Sequence, residues 1–120
     1  MVSKIDPMMF VGIPDDKKFL MTKGIRPTTP SRIIEVTCEF LNTDIDTFKG
    51  ASRKRPLVEG RQIAMAFIRY GNPKLSLKHI GMMFGNRDHS TVIYSIENYE
   101  SLLNADKSFR VKVAQIKALL

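Results

Sequence analysis

"SLKHIGMMFGNRDHSTV", residues 76–92, decides how the rest of the chain is read. Ser76 can cap a short helix over 77–84, whose inward face is Leu77, Ile80 and Phe84. Gly85-Asn86 then supplies two residues that tolerate left-handed backbone, as a tight turn between helices requires. A longer helix starts at about Asp88. Two helices joined by a glycine turn of three to four residues make a helix-turn-helix candidate. The pattern by itself also fits an ordinary helical hairpin.

Working outward, apolar residues recur at helical spacing on both sides. Val92, Ile96, Tyr99 and Leu103 carry the second helix to the break at "NAD" (104–106). Phe109, Val113, Ile116 and Leu120 predict a closing helix. Upstream, "GNPKLS" (71–76) is a loop, and the helix before it runs from Pro56 to about Tyr70, with Ile63–Phe67 and Ala64–Ile68 as i,i+4 pairs. "ASRKRP" (51–56) is a basic connector. "NTDIDTFKG" (42–50) predicts a turn and a short helix with Ile45 and Phe48 three residues apart and Gly50 as its stop. Thr29-Pro30 reads as cap and first-turn proline of a helix to about Leu41, with Ile34, Cys38 and Leu41 inward. Residues 1–29 hold Pro7, Pro14 and Pro27 and no sustained helical period, so they form an irregular arm in which "MMFVGI" is a short strand or an apolar hook. The expectation is an all-α domain over 30–120, a bundle of about five to six helices, preceded by that arm.

A chain of 120 residues suits one domain with a modest core. No apolar run approaches the roughly 20 residues of a membrane span. The first residues lack the long apolar stretch of a signal peptide. A lone cysteine, Cys38, cannot form an internal disulfide, and its place in the apolar stripe makes it a buried structural thiol. These features place the chain in the cytoplasm. Two histidines, one cysteine and no carboxylates clustered at metal-ligand spacing argue against an enzyme, a metal site or a cofactor.

Charge is more informative. The whole chain has a surplus of seven positive charges. The 39 residues from Lys49 to Arg87 hold nine basic side chains against the single Glu59, a surplus of eight. Surfaces made only for solubility mix their signs, so a nearly acid-free stretch favours phosphate binding. "SRKR" (52–55) can enter a narrow A/T-rich minor groove or clamp phosphates without reading sequence.

Against this background Asp88 needs a reason. Its side chain can cap the free N–H groups of the helix it starts. Alternatively, the first residues of a recognition helix face base edges in the major groove. A carboxylate there repels phosphate and accepts a hydrogen bond only where a donor such as the cytosine amino group is offered. It lowers gross affinity and raises discrimination. His89 can donate or accept at a base edge, Ser90 and Thr91 can bond to bases or phosphates, and the Thr91 methyl can touch a thymine methyl. Val92 turns inward and sets the helix rotation. Arg87, just before the helix, suits a phosphate.

"GMMFGNRDHSTV" (81–92) resembles the signature of the duplex-binding C-terminal domain of the DnaA family of bacterial replication initiators. "RKRPLVEGRQIAM" (53–65), "SLKHIG" (76–81) and "DKSFRVKVAQIKALL" (106–120) extend the likeness over about residues 30–120. The resemblance implies a Trp-repressor-like helix-turn-helix domain that binds A/T-containing duplex sites, the DnaA boxes. It implies that Arg53 enters the minor groove, and that Asp88, His89 and Ser90 read bases in the major groove, where the chemistry of Thr91 makes it a further reader. Arg61, Gln62, Arg87 and Thr91 match positions near the sugar-phosphate backbone, and Lys54, Arg55, Ser76 and Lys78 are further candidates for backbone contacts. Three features depart from the pattern: Ser90 stands where Thr or Ala is common, Lys78-His79 replaces a less basic pair, and no "GxxxxGK[ST]" loop is present.

Together these readings predict a sequence-specific binder of double-stranded DNA, nucleoid-associated, that regulates replication initiation or transcription. The rival reading is an adaptor that binds a protein partner through residues 1–29. The sequence leaves the oligomeric state open.

Overall fold

The computed structural model describes residues 28–120; the expectations for the arm and its "MMFVGI" segment lie outside the described residues as far as residue 27. Six helices and no strand occur among the described residues: α1 (Pro30–Leu41), α2 (Ile45–Lys49), α3 (Arg55–Gly71), α4 (Leu77–Met83), α5 (His89–Ala105) and α6 (Lys107–Leu119). The all-α expectation holds. None of these helices is long and apolar enough to cross a membrane.

The helix ends follow from local chemistry. Thr29 caps α1 by accepting from the Arg32 N–H at 3.3 Å, and Pro30 fills the first turn, where its missing N–H costs nothing. Asn42 ends α1 in the left-handed region, and its N–H reaches the Cys38 and Glu39 carbonyls. Asp44 caps α2 through the Thr47 N–H at 3.0 Å, and Ser76 caps α4 through the His79 N–H at 3.0 Å. Only Asp106 separates α5 from α6. It caps α6 through the Phe109 N–H, while Arg110 donates to the Leu103 and Asn104 carbonyls left open at the end of α5.

α3 is the central element. It packs against α1 and α5, and touches α2 and α4 as well. From Leu57 to Ile68 every residue is buried except the half-buried Val58. Its polar residues Glu59, Arg61 and Gln62 are buried along with its apolar ones, so polarity along the sequence does not mark its solvent side. α5 packs on α3, α4 and α6, and α6 returns to α1. Tyr99 of α5 is the hub of an aromatic cluster, with ring centroids 6.3 Å from Phe67, 6.5 Å from Tyr70 and 5.8 Å from Phe109. A second cluster joins Phe48 to Phe84 at 6.0 Å, both without solvent exposure.

One expected boundary is corrected. Arg55 rather than Pro56 opens α3, so that Pro56 sits inside the first turn. Within α2, Phe48 is fully buried, whereas Ile45 at its first position is 44% exposed. Cys38 is buried as expected. Burial, helped by the nearby Asp44 charge, pushes its thiol up to about 11.

Candidate nucleic-acid interface

α4, the turn and α5 form the predicted helix-turn-helix. Gly85 and Asn86 both lie in the left-handed region, at φ 78° and 58°. The chain then doubles back directly over Gly81. The Gly81 carbonyl accepts from the Phe84 N–H at 3.1 Å and the Arg87 N–H at 2.8 Å. A Cβ on Gly81 would stand 2.0 Å from the Arg87 carbonyl oxygen, so only glycine fits. Val92, fully buried, anchors the first turn of α5.

This geometry puts Asp88, His89, Ser90 and Thr91 together on an exposed tip. Asp88 occupies the cap position of α5 but makes no side-chain cap bond. Its Oδ1 lies instead 3.2 Å from Nδ1 of His89, and both side chains are largely exposed. The Thr91 and Val92 N–H groups are satisfied by the Asp88 backbone carbonyl. The capping explanation for an acid here therefore does not describe this conformation. The tip continues along α5 with Tyr94, 66% exposed, and Ile93, one turn beyond Ser90 and His89. Sequence reading passed over both. The signal was there in the four-residue step from Ser90 to Tyr94 on a helix whose buried face runs through Val92, Ser95 and Tyr99.

The basic connector starts at the turn, where Arg87 holds the Lys49 and Gly50 carbonyls, and its Arg53 lines a shallow cleft with Asn98 and Leu102 of α5. Arg53 and Lys54 are exposed, as are Lys74 and Lys78 around the start of α4. Ser76 is exposed too, with its hydroxyl oxygen accepting the α4 cap bond. Arg55 is exposed but not idle: its Nε donates to Glu59 at 2.9 Å, and Lys112 of α6 donates to the other Glu59 oxygen at 2.8 Å. Burial pushes the Glu59 carboxyl up, but the bonds from Lys112 and Arg55 outweigh it and hold the group below its ordinary value of 4.5.

Three residues expected at the DNA backbone are tied into the fold by hydrogen bonds within the chain. Arg61 is buried, 7% exposed, and donates to the Phe48 carbonyl at 3.0 Å and the Ser52 carbonyl at 2.6 Å. Gln62 is buried, and its Oε1 accepts from Asn98 of α5 at 3.1 Å. Arg87 is half-buried and donates to the carbonyls of Lys49 at 2.9 Å, Gly50 at 2.7 Å and Phe84. The physical cause is common to the two arginines. The last residues of α2 and the turn after it, 48–52, have carbonyls with no helical partner, and a guanidinium supplies several donors in one plane. Burial lowers the pKa of both, and the Arg87 charge lowers that of Arg61 further.

The helix-turn-helix model for bacterial dnaA protein matches residues 30–98. The chain is similar to the chromosomal replication initiator protein DnaA of Picosynechococcus sp., 39% identical over 75% of this chain and 20% of that protein. It is 46% identical to the protein of the same name from Corynebacterium aurimucosum, over 58% of this chain and 13% of that one. With the Bacteroides thetaiotaomicron protein the identity is 34%, over 79% of this chain and 20% of the relative. The chain thus spans about a fifth or less of the length of these relatives. With the matched model covering both the glycine turn and the exposed acidic tip, the chain belongs to the family of bacterial dnaA protein helix-turn-helix domains.

Proposed function

We propose that this domain binds double-stranded DNA selectively, with the tip of α5 in the major groove and the Arg53 loop in the adjoining minor groove, at sites like DnaA boxes. The single observation that carries this reading is the exposed Asp88–Thr91 tip, set beside exposed cations and free of any capping duty. Asp88 supplies discrimination by refusing phosphate and accepting from an exposed base donor. His89, Ser90 and Thr91 offer further donors and acceptors to base edges, and Arg53 suits the negative potential of a narrow A/T minor groove. Lys54, Arg55, Ser76 and Lys78 are placed to contact phosphates. A role in replication initiation or transcription, in the cytoplasm at the nucleoid, follows from such sites and from the relatives' name.

Selection of bound duplexes from a random oligonucleotide pool tests this directly. A recovered motif with an A/T-containing part is the expected result. If about five phosphates are neutralised by the exposed cations, affinity falls several hundredfold between about 50 and 200 mM salt. Equal retention of every duplex, or no retention of any, overturns the reading.

A further inference from the structure

The segment that carries Arg53 is fastened to the helix-turn-helix by contacts that have nothing to do with its charge. Phe48 packs on Phe84. Gly85 lies so close to the segment that a Cβ there would meet the Lys49 carbonyl oxygen at 2.7 Å. Arg87 reaches from the turn to the Lys49 and Gly50 carbonyls, and Arg61 reaches from α3 to the Phe48 and Ser52 carbonyls. Four of the five carbonyls from Phe48 to Ser52 are therefore gripped by two arginines. Neither arginine is paired with a carboxylate among the described residues. Packing two cations together without a counter-ion is costly, and a mere phosphate contact would not require it.

We propose that Arg61 and Arg87 are positioning residues that lock the 48–52 backbone to the turn, so that Arg53 and the tip of α5 are presented to a duplex at a fixed separation. This rests on the DNA-binding reading above and deepens it. A lock formed before DNA arrives removes the cost of ordering the loop on binding. It also makes the two readers act as one: a site must offer its minor-groove feature at the set distance from its major-groove letters.

Arg87→Lys is the discriminating variant. It keeps the charge, and with it any simple attraction to phosphate. A single ammonium cannot replace a planar fork whose separate nitrogens reach Lys49 and Gly50. On the selected duplex, Arg53→Ala weakens binding roughly tenfold or more. Arg87→Lys is expected to lose a comparable factor, and the double variant no more than Arg53→Ala alone, which is the signature of full coupling. Losses that multiply independently, or wild-type affinity in Arg87→Lys, overturn the proposal.

A measurement on the wild-type chain covers the case in which Arg87→Lys fails to fold. NMR signals of the Arg87 guanidinium should show hindered rotation in the free protein and shift little when the duplex is added. Free rotation, or a large shift on binding, overturns the lock. A wild-type chain that selects no sequence overturns the DNA-binding reading instead, and the guanidinium measurement on the free protein still decides whether the lock exists.

Discussion

Gly81→Ala should damage the helix-turn-helix more than any other small change in it. The added Cβ would lie 2.0 Å from the Arg87 carbonyl oxygen and 3.4 Å from Cγ2 of Val92. Ordinary contact with the oxygen demands that the chain open by more than 1 Å. The oxygen belongs to backbone, so no side chain can swing aside. Overpacking of this kind costs about 1–3 kcal/mol, and weakening the bond from the Arg87 N–H to Gly81 adds about 1 kcal/mol. Alanine's better helix propensity returns up to about 1 kcal/mol. The net destabilisation is about 1–3 kcal/mol, which for a domain this size lowers Tm by about 5–20 °C. Asp88 follows Arg87 immediately, so preference among duplexes should fall as well. Gly71→Ala is the control, because its Cβ would meet nothing within 4 Å. Thermal melts of the two variants, with competition binding against a random duplex, check this. If both melt alike, or Gly81→Ala keeps the wild-type Tm, the close crossing at Gly81 does not govern the motif.

Because Asp88 makes no cap bond, Asp88→Ala should leave Tm within about 2 °C of wild type, less than loss of a working cap would cost. The same variant should bind random duplexes at least as well while losing preference for the selected one, as paired competition assays will show. Glu59 titrates below its ordinary 4.5 in the folded chain, so it contributes stability that is present above that pH and is lost as pH falls through the lower folded value. Glu59→Gln should therefore be less stable at pH 7 by about 1 kcal/mol and converge on wild type as acid protonates the carboxylate, as measured by urea unfolding across pH. Cys38, buried with its thiol raised to about 11, should resist a thiol reagent at pH 8 and react at the rate of global unfolding; fast labelling of the native chain would contradict its burial.

The elements legible from sequence were those with two unlike faces. α1, α5 and α6 alternate apolar and polar residues at helical spacing, and Ile34, Val92, Tyr99, Phe109, Val113 and Ile116 are buried where that spacing puts them. Asn42 was read only as part of a turn, whereas Gly85 and Asn86 were read for their backbone freedom, and both take up left-handed conformation. α3 was harder, because Glu59, Arg61 and Gln62 are polar in sequence and yet buried in the fold. The surface tip at 88–91 was readable because its location depends only on a local turn. The partners that Arg61, Gln62 and Arg87 take within the chain were not. A guanidinium in sequence is a charge, and whether it faces a phosphate or a carbonyl depends on partners 9 to 38 residues away. Of the nine cations between Lys49 and Arg87, Arg69 is a further case: it donates to the Pro73 and Leu75 carbonyls and shapes the loop before α4.

α5 is a single rod with its tip in solvent and Tyr99 seated among three other rings. Ser90 lies nine residues from Tyr99, about 14 Å along the axis at 1.5 Å per residue. A tilt of about 5° at that aromatic seat would swing the tip by about 1.2 Å over this lever arm, enough to misalign a hydrogen bond to a base. The fulcrum of letter choice thus lies deep in the bundle. Any effort to retarget this domain must hold the seat still while it changes the tip.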